Sequence, residues 1–489
     1  MSRGARRPVE SFYHLRDLSL DGRACQGTAC FVARHLNAAR WAAATSGIAR
    51  VYCLGKCYLA PAANEDSLRP RIEARAPQTI VLERLVEGGA TTLASYTAGG
   101  GYAALEAALR QPPVEVVQAV ERADLRGRGG AGFPTGRKWR AVAAEPGSVK
   151  YVVANADEGD PGAYIDRFIL EEDPFCLIEA MTIAGHATGA RRGYIYLRKE
   201  YPQAREVLVR ALDEARRAGL LGDRILGSPF SFEVELVLGQ GSYVCGEETA
   251  LLNAIEGKRP EVRTRPPYPA TSGLFGRPTL VNNVETLASI PWIVRHGPEA
   301  YRRLGFSRSR GTKVVSLNSL FRRPGLYEIE FGVSVRHIVE ELGGGLTTGP
   351  VRGVIIGGPL AGVLPPEQFD TPFGFEELRA AGAAVGHGGV VAFDGHTSIL
   401  ELVHHVFRFA AFESCGKCTP CRVGSAAVER MLAEGMQGRL PAAARAEFEA
   451  IVPALRQTSL CGHGIGLGEF VESIVRYYGK DVASWFGSR

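Results

Sequence analysis

Eight of the ten cysteines in this 489-residue chain fall into two groups of four, and no other feature constrains its fold as strongly. Cys415, Cys418 and Cys421 recur at every third position in ESCGKCTPCRVG, and Cys461 follows far downstream in SLCGHG. Three thiolates at that spacing with a remote fourth is the pattern that holds a cubane [4Fe–4S] cluster. Gly416 and Pro420 tighten the loop, and Cys461, beside Gly462, closes the site from another segment. Zinc is disfavoured there, because its ligands come mostly as pairs. The first group is Cys25 and Cys30, with four residues between them, and Cys53 and Cys57, with three. Two pairs suit a [2Fe–2S] rhombus, which takes two thiolates on each iron. A structural zinc site or free thiols are the alternatives. Cys176 and Cys245 belong to neither group and read as small buried hydrophobes.

Clustered cysteines of this kind point to metal or redox work in a reducing compartment and not to a disulfide scaffold. The length implies roughly three or four domains. Apolar content of 45%, charged content of 22% and a net charge of +5 describe an ordinary globular protein with no bias toward nucleic acid or a membrane surface. The basic residues are scattered apart from Arg3, Arg6 and Arg7. No apolar run approaches the roughly 18 residues that span a bilayer, and the N-terminus lacks the apolar core of a signal peptide. The expected location is cytoplasmic, at most peripheral on a larger assembly.

The pattern along the chain divides it. Residues 1–95 carry the first cysteine group, and the glycines after Ala98 (Gly99, Gly100, Gly101) predict a linker. In 96–310, β-like runs (Tyr151–Ala154, Gly193–Leu197, Phe232–Leu238) alternate with helix-like ones (Val114–Ala123, Gln203–Ala218), which predicts an α/β sheet layered with helices. In 311–397, short strands (Lys313–Leu317, Gly325–Ile329, Gly353–Ile356, Gly389–Phe393) surround a helix-like piece at Val335–Leu342, a small α+β pattern. From 398 to 489 the chain reads as a helical bundle: Pro441 stands at a helix start, and Phe448, Ile451, Val452 and Leu455 keep helical spacing. No internal repeat is visible.

Between the cysteine groups lie four polar motifs. LRGRGGAGFPTGRKW (125–139) is dense in glycine, so backbone N–H groups can approach and cradle a phosphate beside Arg128, Arg137 and Lys138. It lacks the strand–turn–helix setting of a dinucleotide fingerprint. ANADEGDPGAYIDR places Asn155, Asp157, Glu158, Asp160 and Asp166 directly after an apolar strand, where carboxylates either bind ribose hydroxyls or form a solvated edge. In GQGSYVCGEETALLNAIEGKRP, Glu247 and Glu248 stand at a helix start, where acids cap by default. In PTLVNNVETL, Asn282 and Asn283 precede an apolar helix and serve either a ring edge or the cap.

These motifs in this order resemble the flavoprotein subunit of respiratory complex I and its relatives, the diaphorase subunits of NAD-reducing hydrogenases and the β subunits of NAD-dependent formate dehydrogenases. The likeness runs from about residue 100 to 480 and rests also on RPPYPATSGLFGRPT, VNNVETL and SCGKCTPCRVG. ACQGTAC and VYCLGKCYLAPA make the first 95 residues resemble a shortened thioredoxin-like [2Fe–2S] module, fused as in the hydrogenase and formate dehydrogenase relatives. The resemblance implies a Rossmann-like domain for FMN and NADH, a ubiquitin-like β-grasp domain, and a helical bundle with the [4Fe–4S] cluster. It implies FMN contacts at Gly127, Arg128, Gly129, Lys138, Asn155, Asp157, Tyr243, Gly246, Glu247, Asn282, Asn283 and Thr286. It implies that Gly130, Phe133, Asp160, Glu248, Arg265 and Tyr268 face NADH. Asp160, Arg265, Tyr268 and Ala141 depart from the family's usual Glu, Lys, Phe and an aromatic, all on the dinucleotide side. The implied activity is electron transfer between NAD(H), FMN and iron–sulfur clusters, with no side chain acting as general acid or base. The implied partners are the iron–sulfur and catalytic subunits of a formate dehydrogenase or hydrogenase, or alternatively of a complex I-type assembly. A non-catalytic iron–sulfur or zinc scaffold is the reading from a different class.

Overall fold

Among the described residues twelve strands, β1 to β12, lie at Arg71–Ala74, Tyr151–Ala156, Arg192–Leu197, Glu233–Leu238, Thr279–Asn283, Gly305–Phe306, Ser309–Arg310, Thr312–Leu317, Gly325–Glu330, Gly353–Ile356, Val363–Leu364 and Gly389–Phe393. The computed structural model describes residues 13–16, 18–46, 50–438 and 440–486, so Arg3, Arg6 and Arg7 lie outside it. β2 to β5 form a wholly parallel sheet in the order β4-β3-β2-β5. Alternation of side chains gives the sheet two apolar faces. Val152, Ala154, Ile195, Leu197 and Leu280 join the main core, whereas Val153, Tyr194, Tyr196 and Val281 meet Leu251 and Leu252 of the helix Glu248–Ile255.

The helix Pro174–Thr188 is buried almost all round and anchors the main-core face. Its Glu179 carboxylate accepts the Tyr96 hydroxyl and the amides of Tyr102 (3.0 Å) and Leu105 (2.9 Å). This corrects the predicted linker. Residues 99–101 form a fixed turn between the helices Leu93–Ala98 and Ala103–Leu109, and a Cβ at Gly101 would fall 2.1 Å from the Tyr96 ring. The amphipathic helices Pro113–Arg122 and Pro202–Arg217 lie within a residue of their predicted limits, each with proline in its first turn.

The second sheet has the order β1-β9-β8-β12-β10-β11. β8 and β9 form an antiparallel hairpin, β12 runs parallel to β8, and a π-helical turn, His337–Leu342, crosses between β9 and β10. β1 pairs in parallel with β9, Arg71 opposite Gly325, so residues 71–74 extend this sheet. Among the described residues before β1 there is no strand, only helices such as Thr28–Val32 and Ala38–Ser46 and a bridge between Ala24 and Ala63. Among the described residues of the segment expected to be thioredoxin-like, the one strand, residues 71–74, pairs with β9, far downstream in sequence.

The C-terminal helices are Ile399–Glu413, opened by a Ser398–Glu401 capping box, then Ser425–Gly435, Ala442–Thr458, Gly462–Tyr477 and Gly479–Trp485. Pro441 is the N-cap of the third, whose Phe448, Val452 and Leu455 are buried. No described helix is long and apolar enough to cross a membrane.

Candidate functional site

The C-terminal edge of the parallel sheet is where the polar motifs meet, as expected for open α/β sheets. Asn155 at the end of β2 lies opposite Asn283 at the end of β5. The Asn155 amide donates to the Gly246 carbonyl at 2.8 Å, tying the β2 loop to the Tyr243–Gly246 turn that follows β4. The glycine-rich loop closes on itself, Gly127 N–H to the Phe133 carbonyl at 2.9 Å. Gly129 fits under Asn283, where a Cβ would lie 2.7 Å from the asparagine Cβ. Gly130 bridges to Gly386, which brings the second sheet to the loop. The following helix, Thr135–Ala144, begins at Pro134 with no side-chain cap, leaving N-terminal amides for an anion.

Several expected contacts have other partners. Glu247 caps the helix Glu248–Ile255, accepting from the amides of Thr249 and Ala250 at 3.0 Å, and Asn283 caps the helix Val284–His296 through the Thr286 amide at 3.0 Å. Both capping readings therefore hold. The Asn282 side-chain oxygen accepts the Trp139 indole N–H at 3.0 Å. The Thr286 hydroxyl accepts the Arg128 amide at 2.8 Å. The Arg128 side chain departs from expectation: it is 1% exposed, bonded to the Tyr301 hydroxyl and the Arg310 carbonyl, each at 2.6 Å, and set over the Phe331 ring. Its guanidinium anchors the loop from below through these contacts. Lys138 and Arg265 both reach Glu248 at 3.1 Å, and Arg265 also reaches Glu247 at 2.6 Å. Phe133 and Tyr268 stand exposed, at 52% and 59%.

Asp157 and Asp160 sit in a poorly solvated pocket. Burial pushes the Asp157 carboxyl well above the usual carboxylate range, and its Oδ2 is buried without a hydrogen-bond partner. Asp160 accepts the Tyr243 hydroxyl at 2.6 Å; burial raises its pKa, opposed by the nearby His387. Four further residues complete this ground. Glu158 caps the helix Ile165–Glu172 through the amides of Ile165, Asp166 and Arg167, and burial lifts it to about 7. His387 lies 2.8 Å from Asp166 and 3.2 Å from the Asn283 amide. Arg198 is 3% exposed and spans the Glu158 and Tyr52 carbonyls and Glu200. Glu413 accepts the Tyr243 amide at 2.9 Å, and burial lifts it to about 7. Glu158 was visible within the acidic motif. The other three carry no motif of their own: His387 and Glu413 are lone residues, and Arg198 opens the ordinary charged triplet Arg198-Lys199-Glu200.

Cys415, Cys418, Cys421 and Cys461 line one pocket with Val244 and Val262. Cys461 is the N-cap of Gly462–Tyr477, and the other three follow the helix Ile399–Glu413. Burial raises the Cys415 and Cys421 thiols, and Cys461 reaches about 12. A metal bound there would take these ligands as thiolates and release their protons. Cys25, Cys30, Cys53 and Cys57 are all buried and adjacent, with the Cys53 and Cys57 sulfurs 3.6 Å apart. A hydrogen bond from Cys30 holds Cys25 down to about 7, and one from Cys57 lowers Cys53. Cys176 and Cys245 are buried and isolated from both sets.

Comparison with known proteins agrees with this layout. The family profile described as the Nuo51 FMN-binding domain matches residues 120–292, and that of the NADH-ubiquinone oxidoreductase-F iron-sulfur binding region matches 401–484. An F-type subunit of the NADH-quinone oxidoreductase of Rhizobium meliloti (strain 1021) is 42% identical over 79% of this chain and 92% of its own. HndC, a subunit of the NADP-reducing hydrogenase of Solidesulfovibrio fructosivorans, is 44% identical over 76% of this chain and 75% of its own. A chain from the crystal structure of an NAD+-reducing [NiFe]-hydrogenase in the H2-reduced state superposes with a TM-score of 0.81 at 29% identity, covering 100% of this chain and 88% of that one.

Proposed function

The chain belongs to the family of FMN-binding F-type subunits of NADH-quinone oxidoreductases, and on that premise we propose that it is the NAD(H)-oxidising or NAD+-reducing diaphorase component of a multisubunit complex. One observation carries this reading: the turn Tyr243–Gly246 serves both halves of the site. Its amide at Tyr243 is held by Glu413, two residues before Cys415, and its Val244 lines the cysteine pocket. Its Gly246 carbonyl is held by Asn155 on the flavin side. When bound, FMN takes a hydride from NADH and releases the electrons singly to the cluster.

The residues fit that use. The uncapped amides at the start of Thr135–Ala144 and the backbone at Gly127, Gly129 and Gly130 form the phosphate cradle, with Arg128 supplying support from beneath. The partnerless Asp157 Oδ2 is a buried acceptor suited to a hydroxyl or ring N–H of the flavin. Asn155, Asn282, Asn283, Thr286 and Glu247 fix the walls through the bonds described above. Glu248, braced by Lys138 and Arg265, binds the dinucleotide, and exposed Phe133 and Tyr268 offer aromatic faces.

The N-terminal cysteines are proposed to hold a [2Fe–2S] cluster. A single zinc with bonds of about 2.3 Å would draw all four sulfurs to about 3.8 Å of each other. The sulfurs come as two hydrogen-bonded pairs, Cys25 with Cys30 and Cys53 with Cys57 at 3.6 Å, which suits two thiolates on each of two irons. The strand sequence β9-β8-β12-β10-β11 supports the β-grasp reading of 311–397, with residues 71–74 added to it. The hydrogenase chain aligns along the whole of this one, N-terminal cysteines included, which favours a hydrogenase or formate dehydrogenase assembly over complex I.

The reading is tested on purified full-length protein by assaying FMN, iron and zinc and then adding NADH anaerobically. Stoichiometric FMN that NADH bleaches is the expected result. A zinc-bearing, flavin-free protein would favour a scaffold.

A further inference from the structure

His35, Asp394 and His396 form a second polar cluster, remote in role from the flavin loops and both cysteine sets. His35 lies in the short helical turn Arg34–Asn37, within the segment that carries the N-terminal cysteines. Asp394 and His396 follow β12, before the helix Ile399–Glu413. The cluster thus stands where the N-terminal segment meets both the second sheet and the helical bundle.

The distances set it apart from an ordinary ion pair. His35 Nε2 lies 3.4 Å from Asp394 Oδ2, and His396 Nδ1 lies 3.3 Å from the same oxygen. Both exceed the 2.7–3.2 Å range of N–H···O hydrogen bonds, and His35 Nε2 has no hydrogen-bond partner although it is buried. A tetrahedral metal with ligand bonds of about 2.0–2.1 Å places its donor atoms roughly 3.4 Å apart. One nitrogen from each imidazole and one carboxylate oxygen all lie within 4.8 Å of one another. The two rings stack at 4.4 Å, 13° from parallel.

The surroundings also fit an ion. The Thr348 hydroxyl donates to Asp394 Oδ2 and the His396 amide donates to Oδ1 at 2.9 Å, so the carboxylate is oriented by neighbours. The nearest fixed cation, Arg34, is engaged by Glu401 at 3.0 Å and lies over the Phe31 ring. His396 is 59% exposed, which gives an entry path and leaves the fourth position to water.

We infer that His35, Asp394 and His396 bind a divalent transition-metal ion of the zinc class, which staples the N-terminal cysteine segment to the rest of the chain. Two imidazoles and one carboxylate select such an ion over calcium or magnesium, which prefer oxygen. The site performs no redox step and stands independently of the diaphorase reading.

The test uses full-length protein carrying its flavin and clusters, treated with EDTA, equilibrated with Zn2+ and desalted. Zinc per chain is measured by mass spectrometry and its shell by zinc-edge X-ray absorption. Wild type is expected to keep a single equivalent in a nitrogen–oxygen shell with imidazole scattering. The His396→Gln and His35→Gln variants should each bind zinc more than about 10-fold more weakly, with flavin and iron content unchanged as the check on folding. Zinc absent from wild type, zinc bound equally by the variants, or a sulfur-containing shell would each overturn the assignment.

Discussion

The buried pair Lys313–Glu285 offers a sharp energetic test of how the second sheet supports the flavin loops. Both side chains are 0% exposed. Besides Lys313, Glu285 accepts the Val314 amide at 2.9 Å, and Lys313 also donates to the carbonyls of Val314 (2.8 Å) and His387 (3.1 Å). Glu285 sits between Asn283 and Thr286, and residues 386–387 touch the glycine-rich loop, so the pair clamps both sides of the flavin site. Lys313→Met leaves a carboxylate buried with one remaining donor, which costs about 3–5 kcal/mol. With a urea slope of about 2 kcal/mol per M, the midpoint for release of flavin fluorescence should fall by roughly 2 M. Glu285→Gln retains an oxygen for Val314 and should cost about 1–3 kcal/mol. The double variant Lys313→Met/Glu285→Gln buries no lone charge and should recover at least about 2 kcal/mol of the summed losses. A Lys313→Met midpoint within about 0.5 M of wild type, or strictly additive losses in the double variant, would refute the reasoning.

Three further outcomes are expected. Cys418→Ala should leave NADH–ferricyanide activity largely intact while abolishing electron delivery to partner subunits; unimpaired delivery would remove the C-terminal cluster from the path. Glu248→Gln weakens the link to Lys138 and Arg265 and should raise the NADH KM roughly tenfold, about 1.4 kcal/mol, with FMN content unchanged; flavin loss with normal nucleotide kinetics would reverse the assigned roles. His387 is raised from 6.5 to about 9 against burial by Asp166, Glu158 and Asp160. Its folded pKa lies above its unfolded one, so its stabilisation is complete below pH 6.5 and is lost as pH rises through about 9. The difference in denaturation midpoint between wild type and His387→Gln should therefore be largest near pH 6 and vanish by about pH 10; a constant difference across that range would contradict it.

Local chemistry made much of this architecture legible. The strands Gly353–Ile356 and Gly389–Phe393 and the helix Pro113–Arg122 follow from apolar periodicity and a first-turn proline, which need no distant partner. The C-terminal cysteine set was legible because its spacing is the pattern of an iron–sulfur ligand loop, and the iron-sulfur binding-region profile covers 401–484. Tertiary decisions were not. Residues 71–74 read as part of the N-terminal module but pair with β9, and Gly99–Gly101 read as a linker because the Tyr96 ring that fills their space packs from the preceding helix. The sign of a charge says nothing about where it points: the Arg128 guanidinium bonds the Tyr301 hydroxyl, a partner that lies far away in sequence. Glu247 and Asn283 remained ambiguous in sequence because capping and ligand binding select the same residue types at a helix start. His387 gains its importance only from carboxylates brought in by another element, and Arg198 from the Tyr52 and Glu158 carbonyls that distant segments present.

The central claim is that electrons move between NAD(H) and the cluster at Cys415, Cys418, Cys421 and Cys461 by way of the flavin. Low-temperature electron paramagnetic resonance of the NADH-reduced full-length protein tests it most directly. The account predicts flavin bleaching together with a fast-relaxing cubane signal in wild type, and in Cys461→Ser bleaching without that signal. NADH-bleached flavin with no cubane signal in wild type, or a signal that survives Cys461→Ser, would contradict it.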